Sequence, residues 1–474
     1  MKIVLILSPF NQLTAVGFTT SRVKRIYGYS MPLGIAGLAS VLERAGHEVA
    51  ILDPCPLQLT IEEIVGWIKK ENPDILGISA LTHVSKNAYA IADMFKKEMP
   101  DISIIMGGSH CTIFPYRVMK ECSSIDVVVI GEAEERITQL ADAVAKRSGL
   151  REIKGLIYRD FNSKEVVETG PPDIQKNLDL FPFPARHLFR NDLYTPFPDQ
   201  IRKTPVTNVM TSRGCTWKRC KFCFEGGKFM PVYRRRSPEN IIEELKQIRN
   251  MGFNGFAFWD DNFCSSEMWV GRVCDLLKQE KLGLTWTCYG RANTITEKMV
   301  YDLKSAGCFS IYIGFESGNQ KILDLVQKGT TLDEARKAVK LCRRAGIEVR
   351  GSFILGLPGD TPETAQESID FAKELDLDFV KFMLYTPEQG TELYDIAVNS
   401  GQIIDRGFQG SLTKATYLPN GYKSVQQLEK IAQKANMSYV FRPKFILRKL
   451  LSIRGWQDFR KYFDGFLMMS SLKR

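Results

Sequence analysis

Three cysteines in one short segment are the residues whose type and spacing most clearly indicate chemistry. Cys215, Cys220 and Cys223 lie within nine residues of the sequence. Thiols spaced this closely on a loop converge on one metal centre. Three protein ligands leave one coordination position open, as in catalytic metal sites generally. Basic neighbours favour the thiolate form of the ligands, and this segment has four of them: Arg213, Lys218, Arg219 and Lys221.

Two other interpretations of the cysteines are open. A structural zinc site needs a fourth ligand, and the nearest histidine is His187, upstream of the segment. A disulfide is disfavoured because the chain contains an odd number of cysteines, eleven, as expected in a reducing cytoplasm. Most of the others, such as Cys274 and Cys342, occur in apolar runs and are expected to be small buried hydrophobic residues.

The N-terminal part of the chain, before the cysteine segment, has the pattern of a separate α/β region. Residues 1–145 alternate short apolar runs with amphipathic ones, which predicts an α/β fold with a doubly wound parallel sheet of five strands. The opening MKIVLILSPF is interpreted as its first buried strand rather than as a signal peptide. Ligands bind at the carboxyl edge of such sheets. The region lacks the GxGxxG loop of a dinucleotide-binding fold.

The cysteine segment belongs to a later region, in which strands and helices again alternate. Residues 146–200 contain a small hairpin and then a proline-rich stretch, which predicts an inter-domain linker. Residues 201–400 contain six strands, each followed by a helix, as in a partial (β/α)6 barrel whose active site lies at the carboxyl ends of the strands. Residues 401–474 are predicted to form a helical, basic segment.

Charge is concentrated at the end of the chain. The net charge is +10, and the stretch 441–474 contains nine basic and two acidic residues. The nearly neutral body argues against a nucleic-acid partner. In the stretch 441–454 bulky apolar and basic residues alternate, as in an interfacial helix on anionic lipid. The alternative is a closing helix that packs its apolar side on the barrel. No stretch is long and apolar enough to span a membrane.

On these residues the chain resembles the radical S-adenosylmethionine superfamily. The cysteine segment is similar to that family's cluster loop, including the aromatic Phe222 before the third cysteine. It differs in having four residues, rather than the usual three, between Cys215 and Cys220. The resemblance implies an oxygen-sensitive [4Fe–4S] cluster held by Cys215, Cys220 and Cys223, and S-adenosylmethionine as cofactor.

The same resemblance implies which residues contact S-adenosylmethionine, all of them near the carboxyl ends of predicted strands. Phe-Trp-Asp-Asp-Asn-Phe at 258–263 corresponds to the segment that meets the methionyl amine, and a carboxylate suits an ammonium group. The implied contacts are Phe222, Asp260, Asp261, Asn262, Arg291, Glu316, Ser317, Ser352 and Gly356. Arg291 would pair with the methionyl carboxylate and Glu316 with the ribose. The alternative for 260–262 is a turn with helix capping.

The N-terminal region resembles the cobalamin-binding domain of cobalamin-dependent radical enzymes. The implied contacts are Pro32, Leu33, Gly34, Asp53, Ser79, Thr82, Gly107, Gly108, His110, Gly131 and Glu132. Methyl-transferring cobalamin proteins often have Asp-x-His-x-x-Gly, but here the histidine position is Cys55 and the glycine position is Gln58. Cobalt would therefore have no histidine ligand. His110 is expected to line the groove rather than to bind cobalt.

The resemblance implies a radical reaction. A 5′-deoxyadenosyl radical would remove hydrogen from an unactivated carbon, and methylcobalamin would then deliver a methyl group to carbon or phosphorus. One alternative is a radical cyclase like those that make the isocyclic ring of bacteriochlorophyll. A second alternative is a methylthiotransferase-like tRNA modifier, which is disfavoured because no second cysteine triad precedes the barrel. A third is a non-enzymatic cobalamin sensor, which would leave the cluster unexplained.

The expected setting follows from the same features. We expect a small or lipid-like substrate and a one-electron donor such as ferredoxin or flavodoxin. We expect a cytoplasmic, anaerobic enzyme with no nucleic-acid partner. The two interpretations of the basic C-terminal segment stay open: a peripheral contact with the inner face of the membrane, or a closing helix packed on the barrel.

Overall fold

The computed structural model describes residues 1–10, 28–200, 202–224, 232–404 and 414–453, together with residues 455, 459, 462, 463 and 467. The chain divides into two compact units. Unit 1 comprises Met1–Asn11 and Met31–Tyr194, and unit 2 comprises Gln12–Ser30 and Thr195–Arg474. The domain boundaries derived from the sequence stay a prediction, and each unit is described by itself.

Unit 1 is built on one sheet, which has seven strands among the described residues. Their order across the sheet is β2-β1-β3-β4-β5-β6-β7, with parallel pairing from β2 to β5. The strands are β1 Lys2–Leu7, β2 Glu48–Leu52, β3 Ile75–Ser79, β4 Ser103–Gly107, β5 Val127–Val129, β6 Leu156–Arg159 and β7 Val166–Glu168. Apolar residues cover both faces, as parallel sheets require.

The helices of unit 1 follow its parallel strands. They are α1 Leu33–Arg44, α2 Pro54–Leu57, α3 Ile61–Glu71, α4 Ser85–Glu98, α5 Ser109–Ile113, α6 Pro115–Glu121 and α7 Ile137–Ala145. Local sequence explains where several of them begin. Thr60 and Glu63 form a capping box at the start of α3, and Asp53 accepts the backbone N–H of Cys55 at the start of α2.

The hairpin predicted inside a linker is instead part of this sheet. Strands β6 and β7 pair antiparallel with β5 and with each other, so the sheet has seven strands and not the predicted five. The physical reason is that Leu156, Ile157 and Tyr158 are apolar and become fully buried only by joining the sheet. The predicted α/β fold with a parallel doubly wound sheet is confirmed, with an antiparallel edge added.

Unit 2 contains a six-stranded parallel sheet whose order, β8-β11-β12-β13-β14-β15, follows the sequence. Its strands are β8 Val206–Val209, β11 Gly255–Phe258, β12 Thr285–Gly290, β13 Cys308–Glu316, β14 Glu348–Leu355 and β15 Phe379–Leu384. Between β8 and β11 lies a small antiparallel pair, β9 Ser212–Arg213 and β10 Arg234–Arg235. This sequential order confirms the predicted partial (β/α)6 barrel.

Helices alternate with these strands. They are α8 Pro238–Asn250, α9 Glu267–Glu280, α10 Glu297–Ser305, α11 Gln320–Leu325, α12 Leu332–Arg344, α13 Pro362–Leu375 and α14 Glu392–Ser400. Ser237, Ser266, Thr296, Asn319, Thr331, Thr361 and Thr391 each cap the helix that follows. The strand faces toward these helices carry a large apolar core that includes Trp286, Phe353 and Phe382.

The C-terminal part is helical, as predicted, but it begins with a short hairpin. Strands β16 Gly401–Ile403 and β17 Tyr417–Pro419 pair antiparallel. Helix α15 Val425–Val440 packs on the barrel, where the Asn436 side chain bonds the backbone of Phe382 in β15. Helix α16 Pro443–Leu451 follows. In the described parts of the chain, no helix is long and apolar enough to cross a membrane.

Candidate active site

The cysteine loop leaves the first barrel strand and is held at its start by Asp260. One oxygen of this carboxylate, Oδ1, accepts the backbone N–H of Thr211 at 2.8 Å and the hydroxyls of Thr211 and Ser212 at 2.9 and 2.8 Å. It also accepts the backbone N–H of Ser212. Asp260 thereby joins the end of β11 to the start of the loop, a positioning role that the sequence did not indicate.

The second carboxylate oxygen of Asp260 is buried and has no hydrogen-bond partner among the described residues. Burial raises the pKa of Asp260 to about 6, and the bonds from Ser212 and Thr211 oppose that shift. Asn262, two residues on, is also buried, and both polar atoms of its amide lack partners in the described structure. Buried polar atoms without partners are rare, so both side chains suit a polar ligand at this strand end.

The three cysteines are partly buried, and none of them is in a disulfide among the described residues. The Cys223 N–H donates to the Cys220 carbonyl at 3.1 Å, so these two residues share a tight turn. The Cys215 sulfur accepts the N–H of Trp217 at 3.4 Å. Within the described ranges, no three His, Cys, Asp or Glu side chains are close enough to hold one metal ion. The assignment of the three thiols as cluster ligands therefore stays a prediction.

The loop is fixed to the segment after α11 by Trp217. The indole N–H of Trp217 donates to the Gln327 carbonyl at 2.8 Å. Its ring covers Gly329 so closely that a Cβ at this glycine would overlap the ring. Gly329 also has φ +66°, in the region that favours glycine. Further along the loop, the Lys221 N–H donates to the Val326 carbonyl at 3.0 Å.

Two cations surround Cys220. The Arg291 guanidinium lies 3.8 Å from the Cys220 sulfur and donates to the Lys328 carbonyl at 2.5 Å. Burial raises the pKa of the Cys220 thiol, and the positive charges of Lys328 and Arg291 lower it. Positive charge beside a partly buried thiol favours the thiolate. The structure thus places Arg291 beside the cysteine loop, whereas the sequence assigned it to the methionyl carboxylate; that assignment stays a prediction.

Lys328 forms a buried ion pair with Glu316 at 2.8 Å, and both side chains are about nine-tenths buried. Glu316 has φ +64° and follows an irregularity in the pairing of β13 with β14. A Cβ at Gly314 would overlap the Glu316 carboxylate. The glycine, the irregular backbone and Lys328 together hold this carboxylate at the carboxyl end of β13, where a ligand hydroxyl can donate to it.

The other predicted contacts lie on or after β13 and β14, except for Phe222 on the cysteine loop and Asp261 after β11. The Ser317 hydroxyl lies 3.2 Å from that of Ser368. Ser352 is buried on β14. Gly356 has φ +78° and donates its N–H to Asp360 at 2.7 Å. Phe222 packs against the apolar cluster that includes Leu357 and Tyr385, while Asp261 is exposed.

These observations fit the cofactors that the sequence implies for unit 2. The donor set of three thiols with two nearby cations suits a negatively charged cluster. The unpartnered atoms of Asp260 and Asn262, and the carboxylate of Glu316, suit the ammonium and hydroxyl groups of S-adenosylmethionine. The sequence missed Lys328, Trp217 and Gly329. The sequence offered one signal for this part of the site. Lys328 and Gly329 follow a helix but do not cap it, so another role could have been sought for them.

The predicted cobalamin contacts of unit 1 gather at the carboxyl edge of its sheet. Ser79 ends β3 and Gly107 ends β4. Gly108 has φ +95°, and a Cβ there would lie 2.7 Å from the Ala80 carbonyl. The Gly131 N–H donates to the Thr112 hydroxyl at 2.9 Å. Glycines that bring bare backbone to this edge suit a large ligand lying along it.

Other cobalamin predictions lie around this edge. Leu33 and Gly34 begin α1, Pro32 precedes them, and Gly34 has open space beside it. Thr82 is exposed and Glu132 is partly buried. Asp53 is buried and accepts the Tyr194 hydroxyl at 3.1 Å, so it is occupied within unit 1.

His110 is buried and bonded to protein. Its Nε2 lies 2.9 Å from the Tyr89 hydroxyl, and its ring packs near Phe114. Its Nδ1 has no partner among the described residues. Burial lowers the pKa of His110 to about 4, so the ring is neutral at pH 7. A neutral ring with one unpartnered nitrogen fits a polar ligand at this edge.

Comparison with known proteins shows which families the two regions match. Residues 209–372 match the radical SAM superfamily, and residues 20–141 match the B12 binding domain. The chain is 35% identical over 458 residues to an uncharacterized methyltransferase of Pyrococcus horikoshii, with 96% of each chain covered. It is 27% identical to the anaerobic magnesium-protoporphyrin IX monomethyl ester cyclase of Rubrivivax gelatinosus, covering 80% of this chain and 68% of that one.

Two further similarities extend the comparison. The chain is 27% identical to the cytidylyl-2-hydroxyethylphosphonate methyltransferase of Streptomyces wedmorensis, covering 81% of this chain and 80% of that one. Its fold matches the structure of the radical S-adenosylmethionine methyltransferase TsrM from Kitasatospora setae, with a TM-score of 0.72. That match has 15% identity and covers 100% of this chain and 99% of the other.

Fold and site together define a radical S-adenosylmethionine enzyme with a B12-binding domain. The chain belongs to the family of cobalamin-dependent radical S-adenosylmethionine methyltransferases. The cofactors of this family are a [4Fe–4S] cluster, S-adenosylmethionine and cobalamin, as the sequence predicted.

Proposed function

We propose that this enzyme methylates an unactivated carbon, or a phosphorus, of a small or lipid-like substrate. The observation that carries the proposal is the buried set of Arg291, Lys328 and Glu316 beside Cys220 at the carboxyl ends of the barrel strands. These side chains place two positive charges beside a cysteine that would bind the cluster. They also place a carboxylate nearby that can accept hydrogen bonds from the hydroxyls of a nucleoside.

The residues of the chain have separate tasks in this proposal. Arg291 and Lys328 stabilise negative charge at Cys220, and Glu316 accepts ligand hydroxyls at the end of β13. Asp260 holds the start of the cysteine loop, and its second oxygen accepts an ammonium group. When bound, the cofactors supply one-electron cleavage of S-adenosylmethionine and a transferable methyl group.

Methylation is favoured over cyclisation by the extent of similarity. The methyltransferase of Pyrococcus horikoshii shares 35% of its residues over nearly the whole chain, whereas the cyclase of Rubrivivax gelatinosus shares 27% over a shorter part. The cyclase and the phosphonate methyltransferase of Streptomyces wedmorensis act on small molecules by their names, which supports a small-molecule substrate for this chain.

Product analysis tests the proposal. The full chain is reconstituted anaerobically with iron, sulfide and hydroxocobalamin and then given a reductant and methyl-deuterated S-adenosylmethionine. Candidate substrates are a porphyrin monoester, a hopanoid and an alkylphosphonate. A product with one trideuteromethyl group is expected. A ring-closed product without label would establish the cyclase alternative and contradict the proposal.

The electron for this chemistry is proposed to come from a ferredoxin or flavodoxin. Arg219 is exposed on the cysteine loop, and the loop is rich in basic residues. Opposite charge steers such encounters and makes them sensitive to salt. Replacing Arg219 by Glu is expected to slow reduction by flavodoxin while leaving reduction by dithionite unchanged. Equal rates with flavodoxin would contradict this role.

We also propose that the protein is cytoplasmic and touches the membrane surface through α16. Phe445 is buried, whereas Leu447, Leu450 and Leu451 are exposed, with Leu451 77% exposed. In a closing helix that packs its apolar side on the barrel, these leucines would be buried. Their exposure therefore favours the membrane contact over that alternative. Arg448 donates to the Leu377 carbonyl at 2.7 Å and pairs with Asp376 at 3.3 Å, which fixes the helix.

Vesicle co-sedimentation tests this contact. Wild type is expected to bind vesicles that contain phosphatidylglycerol, and Leu450→Ser with Leu451→Ser is expected to bind several-fold less because apolar area is lost. Met268→Ser removes an equally exposed apolar residue outside α16 and serves as control. Equal binding by all three proteins would exclude α16 as the contact.

A further inference from the structure

The inner face of the unit 2 sheet carries two cations that are not among the predicted contacts of the cluster or of S-adenosylmethionine. Alternate residues of the strands face the apolar core, among them Val349, Phe353 and Leu355 of β14. Arg350 on β14 and Lys381 on β15 are each adjacent in sequence to core residues. Successive side chains of a strand point to opposite faces, so these two point away from that core. Arg350 is aligned with Phe379, and Ser352 with Lys381, so the two cations lie on adjacent strands two residues apart.

Arg350 is almost completely buried, with 1% of its surface exposed. Its Nε donates to the Ser310 hydroxyl at 2.8 Å, and its Nη1 pairs with Asp199 at 3.2 Å. The guanidinium also lies 5.5 Å from the ring centre of Tyr312. Its second terminal nitrogen, Nη2, is buried without a partner among the described residues. One donor of a buried guanidinium is therefore available to a ligand.

Lys381 is partly buried between aromatic rings. Its Nζ lies 4.4 Å from the ring centre of Phe197 and 5.7 Å from that of Phe379. Within the described ranges no carboxylate lies within ion-pair distance of Lys381. Burial lowers the pKa of this amine, the charge of Arg350 lowers it further, and Asp199 opposes the change.

A purely structural role does not account for both cations. Asp199 pairs with Arg350, and one carboxylate cannot neutralise both the buried Arg350 and the partly buried Lys381. An uncompensated buried charge is costly unless it is paired and hydrogen-bonded. Lysines that lose most of their contact with water are usually paired with an acid. The aromatic rings of Phe197, Tyr312 and Phe379 around the cations suit an apolar molecule that ends in an acid.

We infer that Lys381 and the free donor of Arg350 bind an acidic group, a carboxylate, phosphate or phosphonate, of the substrate inside the barrel. The inference rests on the proposed function and adds to it the chemical class of the substrate. It is separate from the methionyl carboxylate of S-adenosylmethionine, which the sequence assigns to Arg291, directly after the end of β12. Charge-assisted bonds to two adjacent cations orient an acid more strongly than neutral bonds do.

Calorimetry with three probes tests this inference. The full chain, reconstituted with cluster and cobalamin and saturated with S-adenosylmethionine, is titrated anaerobically with benzoate, phenylphosphonate and the neutral benzamide. The variants are Lys381→Gln, which removes the charge, Lys381→Arg, which keeps it, and Lys340→Gln, which removes an exposed lysine on α12. Binding of S-adenosylmethionine to each protein is measured separately.

Wild type, Lys381→Arg and Lys340→Gln are expected to bind at least one of the two anions and to bind benzamide much more weakly. Lys381→Gln is expected to bind that anion at least roughly tenfold more weakly, because a charge-assisted bond is lost. Its affinity for S-adenosylmethionine is expected to be unchanged, which also shows that the barrel is folded.

Four results would overturn the inference. They are no binding of either anion by wild type, equal binding of benzamide, undiminished anion binding by Lys381→Gln, and weaker binding of S-adenosylmethionine by Lys381→Gln. The last result would place Lys381 in the cofactor site. Failure of the proposed methyl transfer is scored separately, by the transfer of label from S-adenosylmethionine to cobalamin in the same preparations, which needs no probe.

Discussion

The indole of Trp217 lies directly on Gly329, and this contact ties the predicted cluster loop to the segment that carries Lys328. Trp217 is one of the four residues between Cys215 and Cys220. The unusually long interval between the two cysteines therefore contains the residue that anchors the loop. A Cβ at residue 329 would overlap the Trp217 ring. Arg291 and Arg219 lie 5.2 and 5.4 Å from the same indole.

Substitution of Gly329 by Ala is expected to displace Trp217 and to lower the iron bound after reconstitution several-fold. Both the overlap with the ring and the φ of +66° oppose a side chain there. Gly252→Ala is the matched control, since Gly252 has φ +90° with open space around it. Iron and sulfide per chain are measured. Equal losses in the two variants would show that backbone strain alone is responsible.

Lys328→Met is expected to destabilise unit 2 by about 3–5 kcal/mol, because it leaves the Glu316 carboxylate buried without its partner. Weaker binding of S-adenosylmethionine should accompany this loss. Lys298→Met breaks the exposed pair with Asp302 and should cost less than about 1 kcal/mol. Denaturant titration and equilibrium dialysis provide the two measurements. A Lys328→Met protein as stable as Lys298→Met would show that the pair contributes little.

Asp260 is expected to make the stability of the apoprotein depend on pH. Its pKa in the native state is about 6, above the ordinary 3.8, because burial disfavours the charge. Between about pH 4 and pH 6 the native state therefore binds more protons than the unfolded state, and stability decreases as pH rises, by roughly 3 kcal/mol in total. Thermal midpoints of wild type and Asp260→Asn are compared across this range. The variant should lack this decrease, and parallel curves would refute the assignment.

Cys220→Ala is expected to abolish the formation of 5′-deoxyadenosine and to reduce the bound iron. Cys342→Ala, which removes a thiol buried in the barrel core, should retain both, with a modest loss of stability. The nucleoside is measured by liquid chromatography after incubation with dithionite and S-adenosylmethionine. Nucleoside formed by Cys220→Ala at the wild-type rate would remove this cysteine from the ligand set.

Local patterns in the sequence were enough to predict the main parallel strands of both units and most of the helices between them. The apolar runs of β1, β13 and β14 depend on neighbouring residues only, and the structure has them as strands. The pairing of β6 with β5 could not be predicted in this way. It depends on contacts between residues about thirty positions apart.

The same distinction applies to the site. The sequence identified residues that lie at strand ends, such as Glu316 and Gly356, because position along a barrel strand determines where they lie. It did not identify Lys328, whose importance comes from a backbone irregularity at Glu316 and from the packing of Trp217. It assigned Asp260 to a ligand, whereas one oxygen of that carboxylate is fully used by Thr211 and Ser212.

The central claim, that the enzyme transfers a methyl group through cobalamin, is tested most directly by following the label to that cofactor. The full chain, reconstituted with cluster and cob(I)alamin, is incubated anaerobically with methyl-deuterated S-adenosylmethionine, and the extracted cobalamin is analysed by mass spectrometry. Recovery of trideuteromethyl-cobalamin is predicted. A protein that retains cobalamin and forms 5′-deoxyadenosine but returns cobalamin without label would contradict the account.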